Sequence, residues 1–343
     1  MISIIFLSGH AHMKFHLLPG LICTLLILSA HSWWETGHML VAEIAKQDLL
    51  KNNPEVYKRA EEISLFVKGL TGNLTDTFIE SAIWLDDIKT EGWNALFTWH
   101  FVDRPYNPLG LVTNGISSYN AIYAIEEAIN VLNNSKAYGK TTLTKSIFMR
   151  ILCHVVGDIH QPLHGVSLYN LTFPLGDEGG NQENITVEAQ NQKMPLHFYW
   201  DAIAFQLPNH FKRPLTESST SEIEQLANKI TDEFPKEGFK NQIEVFDLNQ
   251  WTIDIFLDAI EYAYKPLRQD FVIDESYQKQ AFHIMKRNIA LAGFRLASVL
   301  EKALQNEVLT MKQPPESQLK VKSEDRILRS KVQNLRTKSS ASR

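Results

Sequence analysis

A mainly α fold, a helical bundle-like single domain with few short strands, is what this sequence predicts. Three observations carry that prediction. Apolar residues recur at the 3.6-residue helical period in seven segments of the chain, whereas alternating, strand-like patterns are weak and few. No internal repeat divides the 343 residues, and their 44% hydrophobic content suits one large or two modest cores. Finally, the polar groups that invite a functional reading are spread over several helical segments, and a bundle is the architecture that gathers such groups into one cleft.

The elements follow in chain order. Residues 1–32 carry one lysine and no acid, with Lys14 before an apolar run from Leu17 to Leu28 that Pro19-Gly20 interrupts. The run ends in Ala30-His31-Ser32, which puts small residues at the −3 and −1 positions of a cleavage site. It is shorter than the ~20 apolar residues of a membrane-spanning helix, so it reads as a signal peptide whose removal exposes Trp33. Met13 makes a more ordinary start than Met1. No later segment reaches spanning length, and the mature protein is expected to be soluble, monomeric and in the secretory pathway, secreted or endolysosomal. Four Asn-x-Ser/Thr sequons, at Asn73, Asn133, Asn170 and Asn184, fit that route. After cleavage Cys153 is the only cysteine, which rules out an internal disulfide.

Helical periodicity predicts helices over residues 35–50, 78–88, 119–132, 142–156, 221–234, 247–264 and 276–304, punctuated by Asn133-Asn134-Ser135 and Pro214-Leu215-Thr216. Residues 179–194 read as a loop or short hairpin. The predicted domain is 33–311, with 24 Lys and Arg against 36 Asp and Glu, a net charge of −12. Such a balance argues against nucleic-acid binding through a basic groove. It suits a body whose carboxylates partly serve metal cations. Residues 312–343 carry nine basic and three acidic residues after Pro314-Pro315 and read as a disordered or loosely helical solvated tail.

The stretch from Ile151 to His164 is the richest in chemistry. His154, Asp158, His160 and His164 fall within eleven residues. On a helix His154 and Asp158 share a face one turn apart, and Gln161-Pro162 then ends the helix so that His164 can return toward that face. His197 and Asp201 repeat the i,i+4 spacing, while His100 and the pair Asp86-Asp87 add further imidazole and carboxylate groups. Imidazole nitrogen mixed with carboxylate oxygen is a donor set for zinc.

These residues resemble the class I zinc-dependent nucleases, secreted single-strand-specific endonucleases that are also 3′-nucleotidases and are related to zinc phospholipases C. Six elements carry the resemblance, in the family's order: Trp33-Trp-Glu-Thr-Gly-His38, Trp84-Leu-Asp86, Trp99-His-Phe-Val-Asp103, His154-x-x-x-Asp158-Ile-His-Gln-Pro-Leu-His164, Gly179-Gly-Asn181 and Leu196-His197-x-x-Trp-Asp201. The resemblance covers the body from Trp33 to about Leu304.

The resemblance implies a trinuclear zinc cleft. One zinc would take Asp86, His100 and His154, and a second His164, His197 and Asp201. The third would take the amine nitrogen and carbonyl oxygen of Trp33, His38, and Asp158, which bridges to the first. It also implies that a zinc-bound hydroxide attacks the phosphorus, leaving 5′-phosphates, with Asp86 orienting or deprotonating the attacking water. Lys89, Asp103 and Asn181 would surround the nucleobase of single-stranded RNA, single-stranded DNA or a 3′-nucleotide. His160 is not a family ligand and reads either as a support behind the ligands or as structural; Asp87 reads as a surface carboxylate. Trp34 stands where the family usually has a small glycine, and the disulfides of many relatives are missing.

Two other readings compete. A zinc phospholipase C shares the trinuclear site, but its last carboxylate is usually Glu where this chain has Asp201, and its first His lies further from the N-terminal Trp than His38 does from Trp33. A non-catalytic secreted zinc-binding protein would be expected to have lost ligands, and here all nine positions are filled.

Overall fold

The computed structural model describes residues 33–68, 73–133, 142–267 and 270–304. The expected signal peptide, the segment between Asn133 and Thr142, and the basic tail lie outside them.

Eleven α-helices and five short strands make up the described residues. In order they are α1 (Glu35–Asn52), α2 (Pro54–Leu65), α3 (Phe78–Ser81), α4 (Trp84–Thr90), β1 (Pro105–Tyr106), α5 (Ala121–Asn133), α6 (Thr142–Asp158), β2 (Ser167–Leu168), β3 (Asn184–Val187), β4 (Gln192–Pro195), α7 (Leu196–Asp201), α8 (Glu217–Glu233), α9 (Lys240–Glu244), α10 (Leu248–Asp258), β5 (Val272–Ile273) and α11 (Glu275–Leu304). The mainly helical, single-domain expectation holds.

α1 is the central helix. It buries Met39, Leu40, Val41, Ala42, Ile44 and Ala45 in succession, leaving no solvent stripe there, as befits a helix surrounded by others. It packs against α11, α8, α2 and α6. Its approach to α11 is close enough that a Cβ on Gly293 would fall 2.5 Å from Ile44 Cβ. One large apolar cluster runs through these helices.

Several boundaries differ from the periodicity for identifiable reasons. The helix expected over 78–88 is two short helices, α3 and α4, and the break exposes the Ala82 carbonyl to the core. α2 has no counterpart among the expected helices; Pro54 occupies its first turn, where its missing N–H costs nothing. The last turns of the helix expected over 247–264 widen into a π-helix, Ala259–Tyr264. α6 runs on to Asp158, keeping His154 and Asp158 on one helix, and Pro162–Gly165 then forms a 3-10 turn that carries His164.

Two small sheets shape the site. β1 and β2 pair in parallel, Pro105 opposite Ser167 and Tyr106 opposite Leu168. Upstream of that pair, Val102 N donates to His164 O at 2.7 Å, so the chain around His100 runs beside the chain around His164. β3 and β4 form an antiparallel hairpin with Ile185 opposite Met194, within the stretch expected to be a loop or hairpin, and β5 joins β3 in parallel. Of the four sequon asparagines, Asn73 and Asn184 are exposed. Asn170 is half-buried, with its Oδ1 accepting from Thr172 N and Phe173 N. Asn133 is half-buried and faces the Ala303 carbonyl at the end of α11.

Candidate metal centre

Four elements converge on Asp158, at the end of α6. α6 supplies His154 one turn earlier, α1 supplies His38, α4 supplies Asp86, and a 3-10 helix, Asn94–His100, ends in His100. Asp158 Oδ1 lies 3.4 Å from His38 Nε2. Its Oδ2 lies 3.0 Å from His100 Nδ1 and 3.3 Å from His154 Nε2. Asp86 Oδ1 lies 3.6 Å from His154 Nε2 and 3.8 Å from His100 Nδ1. All five side chains are buried. Within this cluster, His38, Asp86 and His154 form one group of possible ligands, and His100, His154 and Asp158 another, every atom of a group within 4.8 Å of the others.

A third such group sits across the cleft, where α7 puts His197 and Asp201 one turn apart and the 3-10 turn after α6 brings in His164. Asp201 Oδ2 is 3.3 Å from His197 Nε2, and its Oδ1 is 3.8 Å from His164 Nε2. The Gln161 amide donates to Asp201 Oδ1 at 2.7 Å, fixing which way that carboxylate faces. Gln161 carried no functional reading in the sequence beyond its place before Pro162.

The imidazoles are oriented from outside the cluster. His154 Nδ1 donates to Ala82 O at 2.7 Å, His164 Nδ1 to His100 O at 2.7 Å, and His197 Nδ1 to Gly179 O at 2.8 Å. Each bond occupies Nδ1 and turns Nε2 inward, the arrangement that backbone carbonyls impose on metal-ligating histidines. The helix break at Ala82 thereby has a function. His164 Nε2 is buried and makes no hydrogen bond among the described residues. Such nitrogens facing carboxylates 3 to 4 Å away fit a borderline cation such as zinc.

Charge reinforces this. Burial and the neighbouring His154 hold His38 well below the usual histidine range, and burial with Lys89 brings His100 down to about 4. Burial opposes ionisation of Asp86 and Asp158. It is outweighed by Lys89 and the imidazoles at Asp86 and by His154 and His100 at Asp158, so both carboxyls lie below the ordinary range. The cluster therefore combines carboxylates with two imidazoles, His38 and His100, that resist protonation, whereas at His154 burial is outweighed by Asp158 and Asp86, which raise it.

The N-terminal end of the described chain is built into this centre. Trp33 is fully buried, and its indole Nε1 donates to Gly157 O on α6 at 2.9 Å, between His154 and Asp158 in the chain. Trp34 N donates to Asp201 O at 3.0 Å. The Trp34 ring, unusual for its position, packs edge-on against Phe198 and Phe205 at 4.9 and 5.5 Å between centroids.

A recess of about 650 Å³ opens over the ligand groups. His100, His164, His197 and Asp201 lie along it together with Lys89, Asp103 and Asn181. Lys89 Nζ is 2.5 Å from Asp86 Oδ1, an ion pair within the centre rather than on the surface. Asp103 is exposed as a residue, yet the surrounding walls dehydrate its carboxyl and push it up to about 6. Asn181 is held by its Nδ2 donating to Glu178 O at 2.8 Å. Gly179 precedes it at a φ of +65°, where a Cβ would strike Leu163 O at 2.4 Å, so no other residue fits that turn. Phe97 and Phe101 add aromatic faces, centroids 5.4 Å apart. Neither was singled out in the sequence, although Phe101 lies inside the Trp99–Asp103 element.

His160 and Asp87 belong to neither the ligand groups nor the recess lining. His160 donates from Nδ1 to Val156 O and receives Arg295 Nη1 at Nε2, so both nitrogens are spent on structure. Asp87 is no solitary surface carboxylate, because Arg213 grips it through two bonds of 2.7 and 2.8 Å.

Fold and site together define a helical protein whose His/Asp groups could hold metal ions in a cleft. The model of the S1/P1 nuclease family matches residues 33–305, and the chain belongs to that family. It is similar to Endonuclease 4 of Arabidopsis thaliana, 27% identical over 308 residues that cover 82% of this chain and 92% of that protein. Nuclease S1 of Aspergillus oryzae is 23% identical, covering 83% of this chain and 96% of its own length. Nuclease P1 of Penicillium citrinum is 25% identical over 178 residues, 49% of this chain and 57% of that protein. Family membership supports a nuclease, a hydrolase of nucleic acid, as the function of the chain.

Proposed function

We propose that the chain is a zinc-dependent endonuclease that cleaves single-stranded RNA and DNA to 5′-phosphorylated products and also acts as a 3′-nucleotidase. The observation that carries this reading is the shared recess, in which possible metal ligands line the same space as an aromatic pair, a carboxylate and an amide. Three zinc ions would be held, by Asp86, His100 and His154, by His164, His197 and Asp201, and by His38 and Asp158 with the amine nitrogen and carbonyl oxygen of Trp33. Asp158 touches His38, His100 and His154, which supports a bridging role.

Bound zinc supplies an acidified water as the nucleophile and positive charge for the phosphate oxygens. Asp86, kept ionised by Lys89 and the imidazoles, would orient that water or take its proton. Asp103 and Asn181 offer an acceptor and a donor to a Watson–Crick edge, Lys89 adds a cation, and Phe97 and Phe101 offer faces for stacking. A duplex hides that edge, and freeing the base costs a few kcal/mol, so unpaired strands are favoured.

The Trp33 amine exists only once the bond after Ser32 is cut, which links activity to signal removal. Passage through the secretory pathway, glycosylation at the four sequons and a monomeric state belong to the same proposal. None of the described helices is long and apolar enough to cross a membrane.

The test is to purify the mature protein, count zinc, and assay single-stranded RNA, single-stranded DNA, duplex, 3′-AMP and phosphatidylcholine with and without chelator. Chelator-sensitive cleavage of the single strands and of 3′-AMP is expected. Full zinc occupancy without phosphodiesterase activity overturns the proposal.

A further inference from the structure

We propose that Arg213 is a positioning residue of the metal centre, tying the first turn of α1, which carries His38, to α4, which carries Asp86. This rests on the metal reading above. The guanidinium makes four bonds. Nη2 donates to Glu35 Oε1 at 2.9 Å and to Asp87 Oδ1 at 2.8 Å, while Nη1 donates to Asp87 Oδ2 at 2.7 Å and to Leu74 O at 3.0 Å. The Asp87 pair is bidentate, the geometry that fixes direction as well as distance. Only 9% of the side chain is exposed, so water competes weakly for these bonds.

What makes the arrangement informative is the identity of the partners. Glu35 lies one helical turn before His38 on α1 and two residues after Trp33; Asp87 directly follows Asp86 on α4. Arg213 thus touches no proposed ligand, yet it holds the immediate neighbour of one and the helical turn of another. His38 and Asp86 belong to the same group of atoms within 4.8 Å and are assigned above to two different zincs, so the spacing of α1 and α4 sets how those two neighbouring metal sites stand to each other. Tolerances in such sites are about 0.5 Å.

The arginine is itself anchored. Two residues on, Leu215 N donates to Glu80 Oε1 at 2.7 Å. Glu80 is buried on α3, just before the break whose Ala82 carbonyl orients His154. One surface segment therefore braces α1, α3 and α4, three elements that place or orient His38, His154 and Asp86. A lysine could neutralise Glu35 and Asp87 but could not reproduce the planar fork.

The experiment compares wild type, Arg213→Lys and Arg213→Met as mature protein. Each is stripped of metal, titrated with zinc against a competing chelator, and melted in the metal-free state. We expect Arg213→Met to bind at least one zinc 10- to 100-fold more weakly, in the range found for residues that orient ligands, with Arg213→Lys intermediate. A lower metal-free melting temperature with wild-type zinc affinity overturns the proposal and leaves Arg213 merely structural. If Arg213→Met fails to fold, wild-type zinc affinity in Arg213→Lys overturns it and weakened affinity supports it. Wild type that takes up no zinc sinks this proposal and the metal reading together; wild type that binds zinc but cleaves no nucleic acid sinks only the nuclease reading, and the titration still decides the role of Arg213.

Discussion

The indole of Trp33 donates to the carbonyl of Gly157 across 124 residues of sequence, at 2.9 Å. Gly157 serves the centre twice. Its carbonyl anchors Trp33, and its missing Cβ leaves room for His38, since a Cβ there would lie 2.8 Å from His38 Nδ1. Gly157→Ala should push the imidazole aside. We expect lower zinc occupancy and a loss of about 1–3 kcal/mol from overpacking, read by metal analysis and denaturant unfolding. Full zinc occupancy with unchanged stability would show that His38 is not confined as described.

The same anchoring makes the mature N-terminus testable. An extra Ala left before Trp33 keeps the indole, His38 and Asp158 but converts the proposed amine ligand into an amide. Activity on single strands should fall sharply, with one zinc bound more weakly. An extended protein matching the authentic one in rate and zinc content would refute the role given to that amine.

The parts of the centre that lie close in sequence were legible there. His154 with Asp158 and His197 with Asp201 are set one turn apart by the helical period, and Gln161-Pro162 announces the turn that returns His164. Asp86 and His100 stood out as further carboxylate and imidazole groups, and the resemblance joined them, with Trp33 and His38, to the centre. What escaped depends on contacts that no local period encodes. The bond from Gln161 to Asp201 joins residues 40 apart, and the Ala82 carbonyl is free only because two short helices replace one. Asp87 read as a surface acid because Arg213, its partner, stands 126 residues further on.

Gln161 is the sharpest of these for mutagenesis. It is fully buried, its amide donates to Asp201 Oδ1, and its own Oε1 accepts from Leu163 N at 2.6 Å. Gln161→Leu keeps the volume and removes both bonds. Zinc held by His164, His197 and Asp201 should bind about 10- to 100-fold more weakly. Competition titration reads this directly, and wild-type affinity would remove Gln161 from the centre.

Phe101 tests the recess without removing a possible ligand. Its ring lines the cleft beside Phe97, and stacking on an aromatic is worth about 1–3 kcal/mol per base. Phe101→Ala should lower kcat/KM on a single-stranded oligonucleotide by roughly 5- to 150-fold while zinc content stays at the wild-type level. An unchanged kcat/KM would place the bases elsewhere.

Asp103 connects the recess to pH. Dehydration by its surroundings raises its carboxyl from the usual range to about 6, outweighing the favourable field of His164. A raised folded-state value means that the folded protein binds this proton more tightly than the unfolded chain does. The resulting stability is fully present below the unfolded carboxylate range, near 4, and is lost as pH climbs through about 6. Asp103→Asn removes the titration but keeps the shape. The melting temperature of Asp103→Asn minus that of wild type should therefore increase from pH 4 to pH 7, whatever acid does to the histidines common to both proteins. Recognition should shift over the same interval, because ionised Asp103 only accepts hydrogen bonds, whereas its protonated form can also donate one. In wild type the ratio of kcat/KM for two oligonucleotides differing in one base should change between pH 5 and 7, and in Asp103→Asn it should stay flat. A flat difference in melting temperature would mean that Asp103 titrates in its ordinary range and that the recess is wetter than its walls imply.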